Sequence, residues 1–316
     1  MITTAIDEAV AVLNQEDVVA IPTETVYGLA GNIYSEKAVK KIFALKKRPL
    51  FNPLIVHIKS VEGLNEVAKD IPDAALKLTK VFWPGPLTLV LKKQSHISDL
   101  ITAGKPTVAV RMPNHKVALA LLEKLDFPLA APSANPFGSI SPTTAEHVDH
   151  YFKDNLTLVL DGGPCERGVE STIIGFDKDG AVLYRHGSIS IEEIEEVIGK
   201  IKVDTKNDDT PDAPGMLLKH YAPKTKLVLT DNIEQVLNEN SNKQVGLLRL
   251  KSGKENWKIA RLEVLSELGD LIEATHNLYA AMHRLDHLGL DLIIAEKLPE
   301  KGLGKTINDR LERAAH

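Results

Sequence analysis

Asp17-Val-Val-Ala-Ile-Pro-Thr-Glu-Thr-Val-Tyr-Gly28 is the stretch that decides the fold. Its first part is an apolar run halted by proline, the pattern of a buried strand. Its second part is a loop rich in hydroxyls that begins where the strand ends. Both flanks of this stretch have helical period. Upstream, Ile6, Val10 and Leu13 share a face, with Thr4 the expected cap and an end near Gln15. Downstream, Ser35 is the expected cap of a helix striped by Ala38, Val39, Ile42, Phe43 and Leu45. Arg48-Pro49 should stop that helix, because proline pushes the residue before it out of the helical region.

The same alternation continues outward. Residues 54–58, 87–91, 107–110, 156–160, 171–174 and 182–185 read as strands. Ser141-Pro142 reads as a helix start, since proline suits the first helical position. Strands mixed with helices predict an α/β domain over residues 1–201. Residues 202–225 change character. Asp204, Asp208, Asp209 and Asp212 mix with prolines and lysines, and the apolar period is lost. A linker is expected, but Met216, Leu217, Leu218, His220 and Tyr221 form an apolar knot that a solvated linker would not need, so part of it should dock on a surface. Strands at 226–229, 245–248 and 292–294, separated by helical patterns, predict a smaller doubly wound α/β domain over residues 226–316. It has no Gly-x-Gly-x-x-Gly, hence no dinucleotide signature.

Composition bounds the function. Hydrophobic residues are 43% and charged residues 26% of the 316-residue chain, a globular balance that supports a sizeable core. A net charge of −5 gives no global pull toward nucleic acid or an anionic membrane, so any anion site must be local. The lone Cys165 excludes an internal disulfide and a multi-cysteine zinc module, and suggests a reduced intracellular thiol. The N-terminus lacks a basic run before an apolar one, and no stretch approaches a membrane span. A cytoplasmic protein with no membrane partner is the expectation.

Chemistry concentrates in two places. Between Lys37 and Val61 stand seven basic residues (Lys37, Lys40, Lys41, Lys46, Lys47, Arg48, Lys59) and no acidic one. A solvated helix face explains most of them. Lys46 and Arg48 differ, because they sit where the helix stops, ahead of Asn52-Pro53 and a strand carrying His57. Such an end can fix cationic tips on an anion, and arginine's planar fork suits phosphate or carboxylate. The second concentration is small polar residues at strand ends: Pro22 to Gly28, Arg111-Met-Pro113, Ala130-Ala-Pro-Ser-Ala-Asn135, and Gly168-Val-Glu-Ser-Thr172. Loops beyond strand ends are where open α/β sheets bind ligands. Ser133 and Asn135 could merely bond their own turn backbone, the commoner fate of such residues in loops.

Taken together these segments resemble a known family. Lys46-x-Arg48 followed by Ser133-x-Asn135 is similar to the paired signature of the YrdC-like family. Pro22 to Leu29, Asn52-Pro-Leu54, Trp83-Pro-Gly-Pro-Leu-Thr88, Arg111-Met-Pro113, Ser141-Pro-Thr143 and Glu170-Ser-Thr-Ile173 look like that family in the same order. Pro214-Gly-Met216 with His220-Tyr-Ala-Pro223 resembles the linker of its two-domain members. Gly302-Leu-Gly-Lys-Thr306 and Asp309-Arg310 resemble the end of their second domain. The resemblance spans essentially the whole chain.

The resemblance implies a twisted mixed-sheet YrdC-like catalytic domain (1–201), a linker acting as lid (202–225) and a Rossmann-like C-terminal domain (226–316). It implies condensation of L-threonine, bicarbonate and ATP, with Mg2+, to threonylcarbamoyl-AMP and pyrophosphate, the product feeding a tRNA-modifying transferase. Residue by residue, it puts Arg48, Asn52, Thr107, Ser133, Asn135, Ser141 and Arg185 on the nucleotide, with Tyr221 closing over it. It puts Thr25, His57, Arg111, the backbone of Ala131, and Ser171 on threonine. Lys46 joins Arg48 as the catalytic basic pair and should face phosphates. The Mg2+ ligands stay undefined.

Other signals carry less. Gly304-Lys305-Thr306 lacks the upstream P-loop glycine, the position being Pro299. His276, His283 and His287 share a helical face and could be zinc ligands, but a satisfied surface or interdomain face is favoured. Glu24 could be a base, a magnesium ligand or a backbone acceptor. Trp83 is expected in the core. A carbamoyl-phosphate-adenylating domain of the hydrogenase-maturation kind would need zinc-finger modules that one cysteine cannot build. A double-stranded RNA or tRNA binder would need basic residues spread over a wide face.

Overall fold

The computed structural model describes residues 1–205, 213–216, 220–253 and 257–316, so Asp208, Asp209, Asp212, Leu217 and Leu218 lie outside it. Among the described residues a mixed sheet of 12 strands forms the first unit. From one edge its order is Ile2–Thr3, Leu158–Leu160, Val19–Ile21, Gly28–Asn32, Leu129–Ala130, Ile55–His57, Thr107–Arg111, Leu87–Lys93, Thr172–Asp177, Gly180–Arg185 and Lys202–Val203, with Ala68–Lys69 pairing off this path on Leu87–Lys93. Neighbours run antiparallel at Val19–Ile21 with Gly28–Asn32, and parallel at Ile55–His57 with Thr107–Arg111.

The strand Gly28–Asn32 was not expected, because its two glycines hide the period. Leu29 and Ala30 are nonetheless fully buried, so packing decides. The segment from Pro22 to Tyr27 is therefore a loop joining two antiparallel strands at one end of the sheet.

Three helix starts were expected, and one stands as read. Helix Glu36–Lys46 is capped by Ser35, whose hydroxyl accepts from the Ala38 amide. It ends on Lys47 in a left-handed conformation, two residues before Pro49. The first helix, Ile6–Asn14, begins after Ala5 without a side-chain cap, while the Thr3 hydroxyl accepts from the Ala5 amide. Thr4 is not the cap. Ser141-Pro142 does not start a helix either. The helix Ala145–Phe152 begins after Thr144, whose hydroxyl accepts from the His147 amide, because the Ser141 hydroxyl is committed to Glu170.

The second unit is a four-stranded parallel sheet, ordered Leu227–Thr230, Leu292–Glu296, Val245–Arg249 and Arg261–Val264. Arg261–Val264 is a polar edge strand that the apolar patterning did not reveal. Helices Leu271–Asp286 and Leu303–Ala314 pack against the first unit. Their apolar core is shared: Val26, Ile140 and Val169 cluster with Tyr221, Leu278, Tyr279 and Met282. Gly168 shows how close the approach is. It has φ +74, and a Cβ there would fall 2.3 Å from the His276 carbonyl oxygen. Trp83 is in the core, its ring N–H donating to the Leu87 carbonyl at 2.7 Å. No helix among the described residues is long and apolar enough to cross a membrane.

Candidate active site

The cationic helix end separates into surface and site as its local geometry dictates. Lys37, Lys40 and Lys41 lie on the outer face, on the Gln15 carbonyl, Glu36 and Asp17. Lys46 and Arg48 turn inward and are buried. Lys46 does not face the cavity. Its ammonium donates to the backbone carbonyls of Ser133 and Asn135, the latter at 2.6 Å. Burial, then Arg48, pulls its pKa well down, opposed by Glu170. In this structure Lys46 braces the loop that follows Leu129–Ala130, its ammonium spent on two backbone carbonyls rather than turned to the cavity.

Arg48 does face the cavity, at 7% exposure. Its Nε donates to the Asn52 carbonyl at 3.1 Å, and its Nη2 to Asn52 Oδ1 at 2.6 Å and the Pro53 carbonyl at 2.8 Å. Asn52 is thus the saddle that orients Arg48, and does not itself line the cavity. Its Nδ2 is buried without a partner.

Strand ends supply the rest. Arg111, at the end of Thr107–Arg111, donates from Nη1 to Thr25 Oγ1 at 2.9 Å and places Nη2 2.6 Å from Glu24 Oε1. Glu24 is accordingly the buried counterion of Arg111 rather than a backbone acceptor. His57 ends the neighbouring strand, and burial followed by the nearby Arg111 pulls its pKa to about 3, so it is neutral at pH 7 with a buried, unpartnered Nδ1. Ala131 spends its N–H on the Ile55 carbonyl, which leaves its carbonyl as the backbone group it can offer. Ser171 Oγ shares a hydrogen bond with Thr88 at 2.7 Å and accepts from Arg185 Nη2 at 3.0 Å. Arg185 also donates to the Ser171 and Pro214 carbonyls.

The linker closes one wall. Pro214, Gly215, His220 and Tyr221 line the cavity. Docking is firm: the Ala222 amide donates to the Gly138 carbonyl at 2.7 Å, and Ala213 and Met216 are buried against Ile55, Val90 and Ile173. Gly215 has φ +87, and a Cβ there would lie 2.7 Å from Arg185 Cδ and 2.8 Å from the Tyr221 hydroxyl. The Tyr221 hydroxyl and His220 Nδ1 are buried without partners. Unpaired polar atoms around one cavity are what a polar ligand would satisfy.

The structure thus gathers Arg48, Ser133, Arg185, Tyr221, Thr25, His57, Arg111, Ala131 and Ser171 on one cavity. Asn52, Asn135, Ser141 and Lys46 stand directly behind it. Asn135 accepts from Lys46 and donates to the Pro136 and Ser139 carbonyls, so it does bond its own turn. Thr107 is not brought in. It begins the strand that Arg111 ends, about 13 Å away at ~3.3 Å per residue, and lines a different hollow beside Lys92 and Phe176.

Sequence reasoning missed the role of Glu170, although it lies within the quoted Glu170-Ser-Thr-Ile173. Glu170 lines the cavity and accepts from Ser141 Oγ at 2.6 Å, from the Tyr279 hydroxyl at 3.0 Å, and from Arg310 Nε at 2.9 Å. Burial pushes its pKa up, but Arg310, Arg185 and the Ser141 hydrogen bond outweigh this and hold it at about 2. Two histidines of helix Leu271–Asp286, and His287 at its C-cap, all face the first unit: His276 Nδ1 meets the Glu166 carbonyl at 2.8 Å, His283 Nε2 the Ser141 carbonyl at 3.2 Å, and His287 Nε2 His150 Nε2 at 3.3 Å. They form an interdomain face.

Comparison with known proteins agrees over the full length. Residues 11–187 match the Sua5/YciO/YrdC family model, described as telomere recombination, and residues 189–316 match the model described as threonylcarbamoyl-AMP synthase, C-terminal domain. A protein of Pyrococcus abyssi named threonylcarbamoyl-AMP synthase is 43% identical, over 97% of this chain and 93% of its own. One of Bacillus subtilis with the same name is 41% identical, over 98% and 92%. The crystal structure of P. abyssi Sua5 complexed with L-threonine superposes with a TM-score of 0.92 at 42% identity, covering 98% of this chain and 94% of that one. The chain belongs to the threonylcarbamoyl-AMP synthase family, in its two-domain form with a YrdC-like domain and a C-terminal domain.

Proposed function

We propose that this chain is an L-threonylcarbamoyladenylate synthase, a nucleotidyltransferase that joins L-threonine, bicarbonate and ATP and releases pyrophosphate. Its product would supply the threonylcarbamoyl group that a partner transferase places on a tRNA adenosine, in the cytoplasm. The observation that carries this reading is one cavity walled by three buried arginines, Arg48, Arg111 and Arg185, each at most 7% exposed. Reactants that all bear negative charge repel one another in water. Fixed cations in a site that excludes solvent offset that repulsion without reorganising during the reaction.

The cavity divides by chemistry. Thr25, His57, Arg111, the Ala131 carbonyl and Ser171 cluster at the sheet's strand ends, where the Arg111 guanidinium suits a carboxylate and the hydroxyls and carbonyl suit a hydroxyl and an amine. This is the threonine side. Arg48 and Arg185, with Ser133 and Tyr221, make the nucleotide side, and Asn52, Asn135 and Ser141 hold them from behind. The amine nitrogen would attack the bicarbonate carbon with loss of water. A carboxylate oxygen of the resulting carbamate would attack the α-phosphorus as pyrophosphate leaves. Such a displacement needs positioning and charge stabilisation, not a protein nucleophile. Cys165 is buried, and burial raises its thiol pKa, so it has no part in the chemistry. A carbamate is labile, which gives the docked linker a reason to cover the site.

We propose that Mg2+ enters with ATP, since the ion favours substrate phosphates and one or two carboxylates over a protein cage. When bound it would neutralise phosphate charge. Glu170 is poorly suited as a ligand because both its oxygens already accept hydrogen bonds. Glu24 Oε2 accepts none, but Glu24 is the counterion of Arg111 and does not line the cavity, so the ion would be held chiefly by the substrate phosphates.

The test is pyrophosphate release, omitting bicarbonate or threonine in turn and substituting serine for threonine. Release that needs both, and prefers threonine, is expected. Release indifferent to threonine would overturn the substrate. No release, together with salt-sensitive tRNA binding, would favour an RNA-binding protein instead.

A further inference from the structure

The C-terminal unit does more than cover the first unit's surface. From helix Leu303–Ala314 it sends the fully buried Arg310 into the wall of the cavity. Arg310 does not line the cavity, but it touches two residues that do. Its Nε donates to Glu170 Oε2 at 2.9 Å, and its guanidinium carbon lies 4.7 Å from the centroid of the Tyr221 ring. Its Nη2 donates to the His186 carbonyl at 2.6 Å, and Asp309 occupies Nη1. Tyr279, from helix Leu271–Asp286, completes the arrangement. Its hydroxyl donates to Glu170, and its ring stacks on Tyr221 with centroids 5.9 Å apart. Glu170 in turn accepts from Ser141.

We infer that Arg310 is a positioning residue through which the C-terminal unit sets the nucleotide side of the cavity. This rests on the division of the cavity proposed above. A guanidinium against the face of an aromatic ring is attracted to it, and desolvation strengthens the pair. Here the same guanidinium also neutralises a buried carboxylate, so ring and carboxylate are fixed relative to each other. Tyr221 and Ser141, both assigned to the nucleotide, hang on this network. Among the described residues Thr25, His57 and Arg111, assigned to threonine, make no hydrogen bond to it, and of the threonine side only Ser171 adjoins it, through the chain next to Glu170. Tyr221 is also held at φ +63, a conformation rare for a tyrosine that the surrounding contacts must maintain. Because a 1 Å misplacement of a substrate-contacting group can cost on the order of 100-fold in rate, control of Tyr221 from behind is control of the site.

The experiment compares Arg310→Met, Arg310→Lys and Tyr279→Phe with the wild type. Binding of α,β-methylene-ATP with Mg2+ and binding of L-threonine are read separately by calorimetry, alongside steady-state pyrophosphate release and thermal unfolding. Arg310→Met is expected to weaken analogue binding and raise KM for ATP by about 10-fold or more, leaving threonine binding within about 2-fold. Arg310→Lys should recover only part of this, because an ammonium cannot serve carboxylate, carbonyl and ring face together. Tyr279→Phe removes one hydroxyl, and should weaken the analogue by about 3-fold or more with the fold intact. It carries the test alone if Arg310→Met does not fold. Folded variants with wild-type analogue binding would overturn the inference. So would a parallel loss of ATP and threonine binding that tracks thermal stability, the mark of a merely structural role. A wild type that binds the analogue but releases no pyrophosphate would sink the proposed reaction and leave the positioning role to be judged on binding.

Discussion

Arg48 illustrates how far a single residue could be read. Its type, its place at a helix end and the proline after it indicated a fixed cation, and it is one. Lys46 had the same signals and a different fate, because a long ammonium stem can turn inward to backbone carbonyls that no sequence pattern displays. Arg48→Ala should lose at least about 2 kcal/mol of transition-state stabilisation, roughly 30-fold in kcat/KM for ATP, as for removal of a desolvated charged contact. Full activity in the purified variant would remove Arg48 from the mechanism. Lys46→Met would remove the side-chain donor of the buried Asn135 carbonyl and one of the two donors of the Ser133 carbonyl, and should cost about 2 kcal/mol in a urea unfolding titration as well as activity. A change confined to activity, with stability intact, would return Lys46 to the phosphates.

Among the elements, strands with unbroken apolar runs were legible and those interrupted by glycine or charge were not. Leu87–Lys93 follows a β-branched and leucine-rich run, and Thr172–Asp177 was legible in its Thr-Ile-Ile start ahead of Gly175, whereas Gly28–Asn32 and Arg261–Val264 are strands only because neighbours pair with them. Helical period disclosed His276, His283 and His287 on one face, but not that His283 and His287 would meet His147 and His150. His283 stacks on His147 with centroids 3.9 Å apart. Burial, then like-charged neighbouring histidines, lowers their pKa values from 6.5 to about 3 and about 4. Both are therefore neutral in the folded chain, where the unfolded chain would take up protons below pH 6.5. The stability they allow is complete above pH 6.5 and is lost as pH falls toward 4. At pH 5 the loss should be on the order of 2 kcal/mol for each histidine, at 1.36 kcal/mol per pH unit. Glu170, with its lowered pKa, adds its own loss only below about 4.5, so the two windows separate. Unfolding midpoints at pH 7.5, 6 and 5 should fall in step, and His283→Gln should flatten the fall. Equal midpoints across that range would remove the interdomain histidines from the stability of the fold.

At the scale of the whole molecule, the two α/β units and the linker between them could be anticipated from composition and period, but the coupling between units could not. Arg310 stood out only as half of an Asp-Arg pair near the C-terminus, 140 residues from Glu170. Nothing in local sequence joins them; the shared core of Val26, Ile140 and Val169 with Tyr279 and Met282 does. The cations are covered by the docked linker residues Pro214, Gly215, His220 and Tyr221. A chain of net charge −5 that buries its site arginines in this way suits a reaction site better than a broad RNA-binding face.

The most direct test of this account is the identity of the product. Wild-type protein is incubated with ATP, Mg2+, L-threonine and 13C-labelled bicarbonate, and the nucleotide products are resolved by mass spectrometry. The account predicts one adenylate containing threonine and one labelled carbon, formed with equimolar pyrophosphate and strongly reduced in Arg48→Ala. Pyrophosphate and AMP without a threonine-containing, labelled adenylate at any reaction time would contradict it.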